Sequence, residues 1–285
     1  MSEKIIAFQG EIGANSHIAC CDIYPDWTPL PCATFEDTFS ALSESRAELA
    51  MIPIENSLAG RVADIHYLLP SSKLYIIGEY FLPIHFQLVA TDNANLGTIK
   101  DVYSHIHALG QCRKIIRKLG LKAHVAADTA GAAREISQLK DPTKAALATR
   151  LAAQVYGLQI LAEDVEDATH NTTRFIFLSR TPSWAQPHNG PVITSFIFRI
   201  RNIPAALYKA LGGFATNGIN MTKLESYMMG GEFAATQFYV EVEGHPEEPP
   251  LKRALEELTF FSKEVHILGV FSQSDFRKDM KTFAE

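Results

Sequence analysis

Short apolar runs alternate with segments of helical pattern along the first part of this chain, and this alternation most restricts its fold. Residues 5–8 form an apolar run that ends at Gln9-Gly10, and a helical pattern follows from about Ser16. The same succession recurs as far as the alanine-rich segment 150–156. Because strands that alternate with helices form α/β folds, we predict an α/β first domain.

Apolar periodicity and turn residues predict the individual elements of this first domain. The predicted helices begin at about Ser16 and span 34–44, 62–69, 108–119, 129–139 and 150–156, and the predicted strands span 5–8, 49–53, 74–81, 84–90, 98–103, 124–126 and 145–148.

A proline-rich segment, residues 181–191, divides the chain because its three prolines and one glycine stop both helix and strand. The order of elements after it is β-α-β-β-α-β, which is ferredoxin-like and places two helices on one face of an antiparallel sheet. With 285 residues and roughly 150 residues per domain, we expect two domains. The predicted elements of the second are a strand at 192–201, a helix at 204–216, strands at 220–228 and at 233–243 after Gly230-Gly231, a helix at 250–261 and a strand at 265–270.

Composition and charge exclude several classes of function. The chain has 26 Lys and Arg against 32 Asp and Glu and no basic run, whereas nucleic-acid binding needs a clustered positive surface. No apolar run approaches the ~18 residues that cross a membrane, and the N-terminal run is too short for a signal peptide. The 4 cysteines form no CxxC pair, which indicates reduced thiols. We therefore expect a cytoplasmic protein without nucleic-acid or membrane partners.

Residues 170–175, His-Asn-Thr-Thr-Arg-Phe, place hydroxyls, an amide and a guanidinium directly before an apolar strand. Arg174 offers a planar fork for a carboxylate, and Thr173 can donate a hydrogen bond or a proton to a leaving oxygen. The alternative is a turn with satisfied hydroxyls followed by an edge strand.

Residues 53–62, Pro-Ile-Glu-Asn-Ser-Leu-Ala-Gly-Arg-Val, lie between a predicted buried strand and a predicted helix. Ligands of α/β sheets bind outside the carboxyl ends of strands, and Asn56 and Ser57 can hydrogen-bond a small polar ligand there. Gly60 lets the backbone approach closely. The alternative is that Asn56 or Ser57 only caps the next helix.

Two further turns join a strand to a helix. Residues 103–112, Tyr-Ser-His-Ile-His-Ala-Leu-Gly-Gln-Cys, contain two histidines, but no third ligand stands at a matching spacing and we expect no metal. Free N–H groups at the start of this helix attract anions. Residues 10–16 contain two glycines but neither a dinucleotide fingerprint nor a phosphate loop, so we expect no nucleotide cofactor.

Four segments of the chain, which precede the predicted β-α-β-β-α-β elements, resemble in their content and order monofunctional prephenate dehydratase with a C-terminal ACT regulatory domain. Residues 53–62 resemble the PxENSxxGxV block of that family, 103–112 its YSHPQxLxQC block, 128–130 its DTA block and 171–175 its NxTRF block. The YSHPQxLxQC block departs at two positions, where Ile106 and His107 replace the usual Pro and Gln. The resemblance covers nearly the whole chain.

The resemblance implies a two-lobed catalytic domain, similar to type II periplasmic binding proteins, in residues 1–180. Lobe one would hold 1–77 and 162–180, and lobe two would hold 78–161, so that the chain crosses twice between them. Residues 181–191 would be a linker, 192–271 the ACT domain and 272–285 a tail.

The implied reaction converts prephenate to phenylpyruvate with joint loss of carbon dioxide and hydroxide, a carbon–oxygen lyase reaction that needs no metal or other cofactor. The resemblance gives Thr173 the catalytic role of donor or proton carrier, and catalysis then rests largely on orientation and preorganised electrostatics. Arogenate dehydratase, which performs the same elimination on the amino analogue, and a non-catalytic amino-acid or keto-acid sensor remain alternatives. The implied substrate-binding residues are Arg174, Asn56, Ser57, Ser104, Gln111, Thr172 and Phe175.

The resemblance also implies that phenylalanine regulates the enzyme through the ACT domain. It implies a homodimer or homotetramer as well, because strands such as 192–201 would leave a sheet edge for a second copy. The family's GAL and ESRP effector motifs stand here as Ala205-Ala206-Leu207 and Glu225-Ser226-Tyr227-Met228. The alternative is a domain that only holds subunits together. The implied effector residues are Ala205, Ala206, Leu207, Asn217, Asn220, Leu224, Glu225 and Ser226.

Overall fold

The computed structural model describes residues 3–62, 64–201, 203–228 and 235–278. The chain divides into two compact units, Met1–Val62 with Phe81–Phe175, and Ala63–Tyr80 with Ile176–Glu285. The domain, lobe and linker boundaries expected from the sequence remain predictions. The expected start of a strand at Phe233, after Gly230-Gly231, lies outside the described residues.

Strands and helices alternate through the first part of the chain, as expected. In chain order the elements are β1 (Ile5–Gln9), α1 (Asn15–Ile23), β2 (Thr28–Cys32), α2 (Phe35–Ser43), β3 (Leu49–Asn56), β4 (Gly60–Arg61), α3 (Ile65–Ser71), β5 (Tyr75–Pro83), β6 (Gln87–Ala90), β7 (Asp101–Ser104), α4 (Ile106–Gln111), α5 (Arg113–Lys118), β8 (Lys122–Val125), α6 (Thr129–Leu139), β9 (Lys144–Ala148), α7 (Arg150–Tyr156), β10 (Gln159–Ala162) and β11 (Thr172–Ser179).

Two sheets organise these strands, which confirms the α/β prediction. The first has the order β2-β1-β3-β11-β5, with β4 paired to β3, and the second has the order β10-β6-β9-β7-β8. The chain leaves the first sheet after β5 and returns to it at β11, so it crosses twice between the sheets. Because β11 lies between β3 and β5, the alternative interpretation of the strand at 175–178 as an edge strand is wrong.

Local side chains explain where several helices begin and end. Thr34 and Asp37 form a reciprocal capping box at the start of α2. Asp128 accepts the Gly131 N–H at the start of α6, which spans the residues expected from the sequence. The predicted helix 108–119 is instead two helices, α4 and α5, which meet at Cys112, where φ is −121°.

The second part of the chain has the predicted β-α-β-β-α-β order. The elements are β12 (Val192–Ile200), α8 (Ala206–Thr216), β13 (Met221–Met228), β14 (Ala235–Glu243), α9 (Pro249–Phe261) and β15 (Ser262–Ser272). The antiparallel sheet has the order β13-β14-β12-β15, and its edge strands are β13 and β15. Because β12 is an inner strand, the expectation that residues 192–201 leave an edge is wrong.

Aromatic and aliphatic side chains fill the space between this sheet and its two helices. Phe196 on β12 stacks on Phe214 of α8, with ring centroids 5.8 Å apart. Leu251 and Leu258 of α9 are buried in the same core. Each fully buried side chain of this size contributes ~1.5–3 kcal/mol, so this packing explains why α8 and α9 lie on one face of the sheet.

A buried charged cluster lies within the second unit. Arg277, which follows β15, donates from Nε to Oε1 of Glu79 at 2.7 Å and from NH2 to Oε2 at 2.8 Å. Its NH2 also donates to Oε2 of Glu241 on β14 at 3.2 Å. The Tyr239 hydroxyl and the Ser274 N–H donate to the Glu241 and Glu79 carboxylates, respectively. We call these residues the Arg277 cluster.

Among the described residues, no helix is both long enough and apolar enough to span a lipid bilayer.

Candidate active site

Hydrogen-bonded amides connect three of the sequence blocks singled out above. Asn56 is the last residue of β3, and Asn171 directly precedes β11. The Asn56 side-chain amide donates from Nδ2 to Oδ1 of Asn171 at 2.7 Å and to Oγ1 of Thr173 at 2.9 Å. Its Oδ1 accepts the backbone N–H groups of Leu58 and Ala59 at 3.0 and 2.8 Å. The fold therefore joins positions 115 residues apart in the chain.

The same chain of amides reaches Gln111 at the end of α4. Asn171 donates from Nδ2 to Oε1 of Gln111 at 2.8 Å. Asn171 is only 3% exposed, whereas Gln111 and Thr173 are partly exposed. The structure therefore brings Asn56, Gln111 and Thr173 together around one buried asparagine.

Ser57 fastens the turn after β3 to the segment before β11. Its hydroxyl donates to the carbonyl of His170 at 2.9 Å and accepts the Thr172 N–H at 3.0 Å, and its own N–H donates to the Thr172 carbonyl at 2.9 Å. The alternative that Asn56 or Ser57 caps the next helix is wrong, because α3 has Asp64 at its N-cap. The roles expected for Ser57 and Thr172 toward a substrate stay predictions.

Arg174 lies beside this amide chain on β11 with only 3% of its side chain exposed. Its NH1 donates to Oε1 of Glu55 at 2.9 Å. The guanidinium carbon lies 5.8 Å from the ring centroid of Phe81, within the range of a cation–π interaction. A carboxylate and an aromatic ring therefore both contact this buried guanidinium.

Two expected site residues do not join this group. The Ser104 side chain is fully buried, and its hydroxyl donates to the Leu147 carbonyl at 2.7 Å. Phe175 is 1% exposed and belongs to the core. Their assignment to substrate binding stays a prediction.

The turn between β1 and α1 is a contact surface for α7. The Gly13 carbonyl accepts from the Thr149 hydroxyl, and the Ile12 carbonyl accepts from Tyr156 at 2.9 Å. Gly13 has φ of +94°, and an added Cβ would lie 2.7 Å from Cα of Ala152. The glycine therefore permits close packing of this turn.

One group among the described residues could hold a metal ion, and the sequence did not indicate it: His85, Asp164 and Glu166. Nδ1 of His85 lies 2.7 Å from Oε1 of Glu166 and 3.8 Å from Oδ1 of Asp164. The Phe86 N–H and the Gln87 amide donate to the two carboxylates at 2.9 Å. These hydrogen bonds join the two segments of the chain that cross between the sheets.

The histidines expected not to bind a metal, His105 and His107, lie at the start of α4. Their ring centroids are 5.1 Å apart, and His105 accepts the His107 N–H. Burial lowers the pKa of His105, and the neighbouring His107 lowers it further. Both effects favour a neutral imidazole at position 105.

Reasoning from the sequence missed Asn171, Glu55 and Phe81 as parts of this site. Asn171 and Glu55 stand within the two blocks that were singled out, and their polar side chains beside Thr173 and Asn56 were the available signal. Phe81 carried no signal, because an aromatic residue in an apolar strand predicts only a core position.

The expected effector residues lie at the start of α8, at its C-terminal end and along β13. Ala205 adopts a left-handed conformation with φ of +61°. Asn217 links α8 to α9, because its Nδ2 donates to the Gly213 carbonyl and its Oδ1 accepts from Arg253, both at 2.8 Å. Ala206 and Leu207, at the start of α8, are buried and half-buried, respectively. The other effector residues lie on or beside edge strand β13 at exposed or half-buried positions: Asn220, Leu224, Glu225 and Ser226.

Comparison with known proteins identifies the family. The family model described as prephenate dehydratase matches residues 6–183. The chain belongs to the prephenate dehydratase family. It is therefore a lyase of the kind that dehydrates prephenate, which argues against a non-catalytic sensor.

Three proteins of known description resemble the chain over most of its length. A "Bifunctional N-acyl-homoserine lactone acylase/prephenate dehydratase" of Komagataeibacter europaeus is 52% identical, over 97% of this chain and 98% of the relative. "Arogenate dehydratase/prephenate dehydratase 2, chloroplastic" of Arabidopsis thaliana is 35% identical, over 93% of this chain and 72% of the relative. A solved prephenate dehydratase of Arthrobacter aurescens in complex with L-Phe superposes with a TM-score of 0.86 at 28% identity, over 98% of this chain and 97% of that chain.

Proposed function

We propose that this chain converts prephenate to phenylpyruvate in phenylalanine biosynthesis, with Thr173 as the donor to the departing ring hydroxyl. The observation that carries the proposal is the direction of the hydrogen bond between Asn56 and Thr173. Two backbone N–H groups donate to Oδ1 of Asn56, so this atom is the amide oxygen and the Nδ2 that faces Thr173 is the donor.

The direction of this bond determines what the threonine can do. The oxygen of Thr173 accepts from Asn56, so its own O–H proton is available for another partner. This hydroxyl makes no further hydrogen bond within the part of the chain that the structure describes. Donation from Asn56 also polarises the O–H bond, because hydrogen bonds in a chain strengthen one another. Thr173 is thereby a better donor than a hydroxyl that accepts no hydrogen bond.

Loss of carbon dioxide and hydroxide aromatises the ring, and this aromatisation drives the reaction. The site then contributes orientation and preorganised electrostatics. Arg174 and backbone N–H groups bind carboxylate, and the NH2 group of Gln111 donates to the dianion. Asn56 and Ser104 already donate to Thr173 and to the Leu147 carbonyl, so they contribute by holding these partners in place. Ser57, Thr172 and Phe175 are the remaining proposed substrate-binding residues.

Thr173→Val tests the proposal because valine keeps the branched shape and removes the hydroxyl. We expect turnover of prephenate, followed by phenylpyruvate absorbance, to fall ~10²-fold or more. Thr259→Val, at an exposed position on α9, is the matched control and should keep wild-type turnover. Turnover by Thr173→Val within about threefold of wild type would refute the role of Thr173.

Arogenate remains the alternative substrate, since the Arabidopsis relative has both dehydratase activities in its name. Arogenate differs from prephenate by an amine in place of the side-chain keto group, and the elimination at the ring is the same. Parallel assays with prephenate, with arogenate and without substrate decide between them. A kcat/KM for arogenate at least tenfold above that for prephenate would replace the proposed substrate.

We also propose that residues 192–271 are an ACT domain that binds phenylalanine and lowers activity. The Arthrobacter relative, solved with L-Phe, supports this proposal. Feedback requires two states with different affinity for the effector. Isothermal titration of phenylalanine into the full chain, with parallel activity measurements, tests this proposal. The absence of both binding heat and inhibition at millimolar phenylalanine would contradict it.

A homodimer or homotetramer remains the proposed assembly. Edge strand β13 carries the exposed Leu224 and Met228, and strand edges pair readily with a second copy. Sedimentation that shows a monomer at micromolar concentration would contradict this assembly. The cytoplasmic location stays a prediction.

N-acyl-homoserine lactone acylase activity is a second candidate function. The observation that favours it is 52% identity, across nearly the full length of both chains, to a relative with both activities in its name. Incubation of the purified chain with an N-acyl-homoserine lactone, followed by mass spectrometry for the released fatty acid and homoserine lactone, tests it. The same assay on Thr173→Val shows whether this hydrolysis uses the dehydratase site.

A further inference from the structure

We propose that Asn171 is a positioning residue that determines which end of the Gln111 side-chain amide faces the substrate, an inference that rests on the dehydratase function proposed above. The basis is a series of hydrogen bonds that runs from the backbone after β3 through Asn56 and Asn171 to Gln111. Each side-chain amide in this series accepts from the group before it. Each step fixes the next, because an amide oxygen only accepts and an amide nitrogen only donates.

The first step is set by the backbone. Leu58 and Ala59 present N–H groups to Oδ1 of Asn56, so the Asn56 amide cannot be reversed without placing NH2 against two donors. Its Nδ2 therefore faces Asn171 at 2.7 Å. The atom of Asn171 that receives this donor must be the oxygen.

The second step passes this orientation to Gln111. Because the Asn171 oxygen faces Asn56, its Nδ2 faces Gln111 at 2.8 Å. The Gln111 atom at that position must accept, so it is Oε1. Its NH2 group is left on the opposite side, and it makes no hydrogen bond among the residues that the structure describes.

The consequence for binding follows from charge. Prephenate is a dianion, and an amide NH2 donates to a carboxylate, whereas an amide oxygen in the same place repels it. Asn171 is 3% exposed, so water does not compete for its two hydrogen bonds. Gln111 is half-buried, so its NH2 group is accessible to a bound substrate. In this proposal Gln111 contacts the substrate and Asn171 acts through Gln111.

Asn171→Asp tests the inference because the carboxylate has nearly the same shape but donates nothing. The introduced carboxylate still accepts from Asn56, so the Thr173 hydroxyl keeps its orientation. It also requires a donor from Gln111, which turns the Gln111 amide and presents its oxygen to the substrate. We expect the KM for prephenate to rise ~10-fold or more while kcat stays within about threefold of wild type.

Gln111→Met is the partner variant, since methionine has a similar length and no amide. It should raise KM as well, and Asn171→Asp should then add less than about threefold in the double variant because it has no amide left to turn. Additive effects on KM would show that the new carboxylate acts through its own charge, and they would overturn the proposal.

Gln111→Glu gives a second test that leaves Asn171 unchanged. The glutamate side chain at this position accepts from Asn171 as Oε1 does now, but it offers no NH2 to the substrate, so KM should rise while kcat is retained. An unchanged KM in Asn171→Asp or in Gln111→Glu would overturn the inference while wild-type turnover kept the dehydratase function intact. Absence of prephenate turnover in wild type would instead remove the proposed function.

Discussion

Replacing Arg277 by methionine should destabilise the second unit far more than loss of an ordinary surface arginine. Arg277 is the shared cation of two carboxylates, Glu79 and Glu241, and both of these side chains are 0% exposed. Methionine keeps much of the aliphatic length of arginine but leaves the two buried negative charges without this guanidinium.

The expected magnitude follows from this burial. Breaking a buried ion pair by removing one partner costs ~3–5 kcal/mol, because the remaining charge loses that partner in a medium of low dielectric. For a chain of this size that corresponds to a fall in Tm of roughly 6–20 °C. The matched control is Arg199→Met. Arg199 pairs with Glu264, and the two side chains are 37% and 53% exposed, so loss of this ion pair should cost only ~0–1 kcal/mol.

Urea unfolding and scanning calorimetry of the full chain measure the difference between these two variants. Glu79→Gln in the Arg277→Met background removes one of the two buried charges, so it should recover about 1–2 kcal/mol of the loss. The reasoning is refuted if Arg277→Met unfolds at the same urea concentration as Arg199→Met, or if the double variant is less stable than Arg277→Met alone.

Three further changes test other parts of the structure. Thr173→Ala should lower prephenate turnover ~10²-fold or more and leave Tm within about 2 °C of wild type, so a large fall in Tm would point to a structural role instead. Arg174→Lys should weaken competitive binding of phenylpyruvate because an ammonium cannot reproduce the guanidinium fork, and unchanged affinity would limit Arg174 to its ion pair with Glu55. Ala205→Gly should raise the free energy of unfolding by about 0.5–1 kcal/mol because it relieves the left-handed φ of +61°. Its control is Ala215→Gly, at an exposed position inside α8, which should lower the free energy of unfolding by a similar amount. If urea unfolding gave the same change in this free energy, in sign and size, for both substitutions, the strain argument would be contradicted.

Local chemistry made some elements predictable from the sequence alone. Helix α6 begins and ends where the sequence indicated, because Asp128 caps its first turn and its apolar residues recur with helical period. Helix α7 is set in the same way, by Thr149 at its N-cap and Gly157 in a left-handed conformation after its end. These signals act within a few residues and need no tertiary partner.

Strand β2 was not predicted because its two prolines, Pro29 and Pro31, argue against a strand within a sheet. The structure places β2 at the edge of the first sheet, paired only with β1 on one side in the described order. A proline that lacks an N–H is tolerated there, because one side of an edge strand needs no ladder hydrogen bond. The opposite error placed residues 192–201 at an edge, although pairing with β14 and β15 makes β12 an inner strand.

The sequence by itself identified the blocks that contain Asn56, Gln111 and Thr173, because each block combines polar side chains with the end of a strand or the start of a helix. It could not show that Asn171 joins them, since hydrogen-bond partners 60 and 115 residues apart leave no periodic signal in the chain. The Arg277 cluster is the same kind of result, with partners 36 and 198 residues away. Local residue preferences determined most elements of this protein, whereas the direction of its amide chain and the pairing of its buried charges depend on distant segments and were decided only by the tertiary structure.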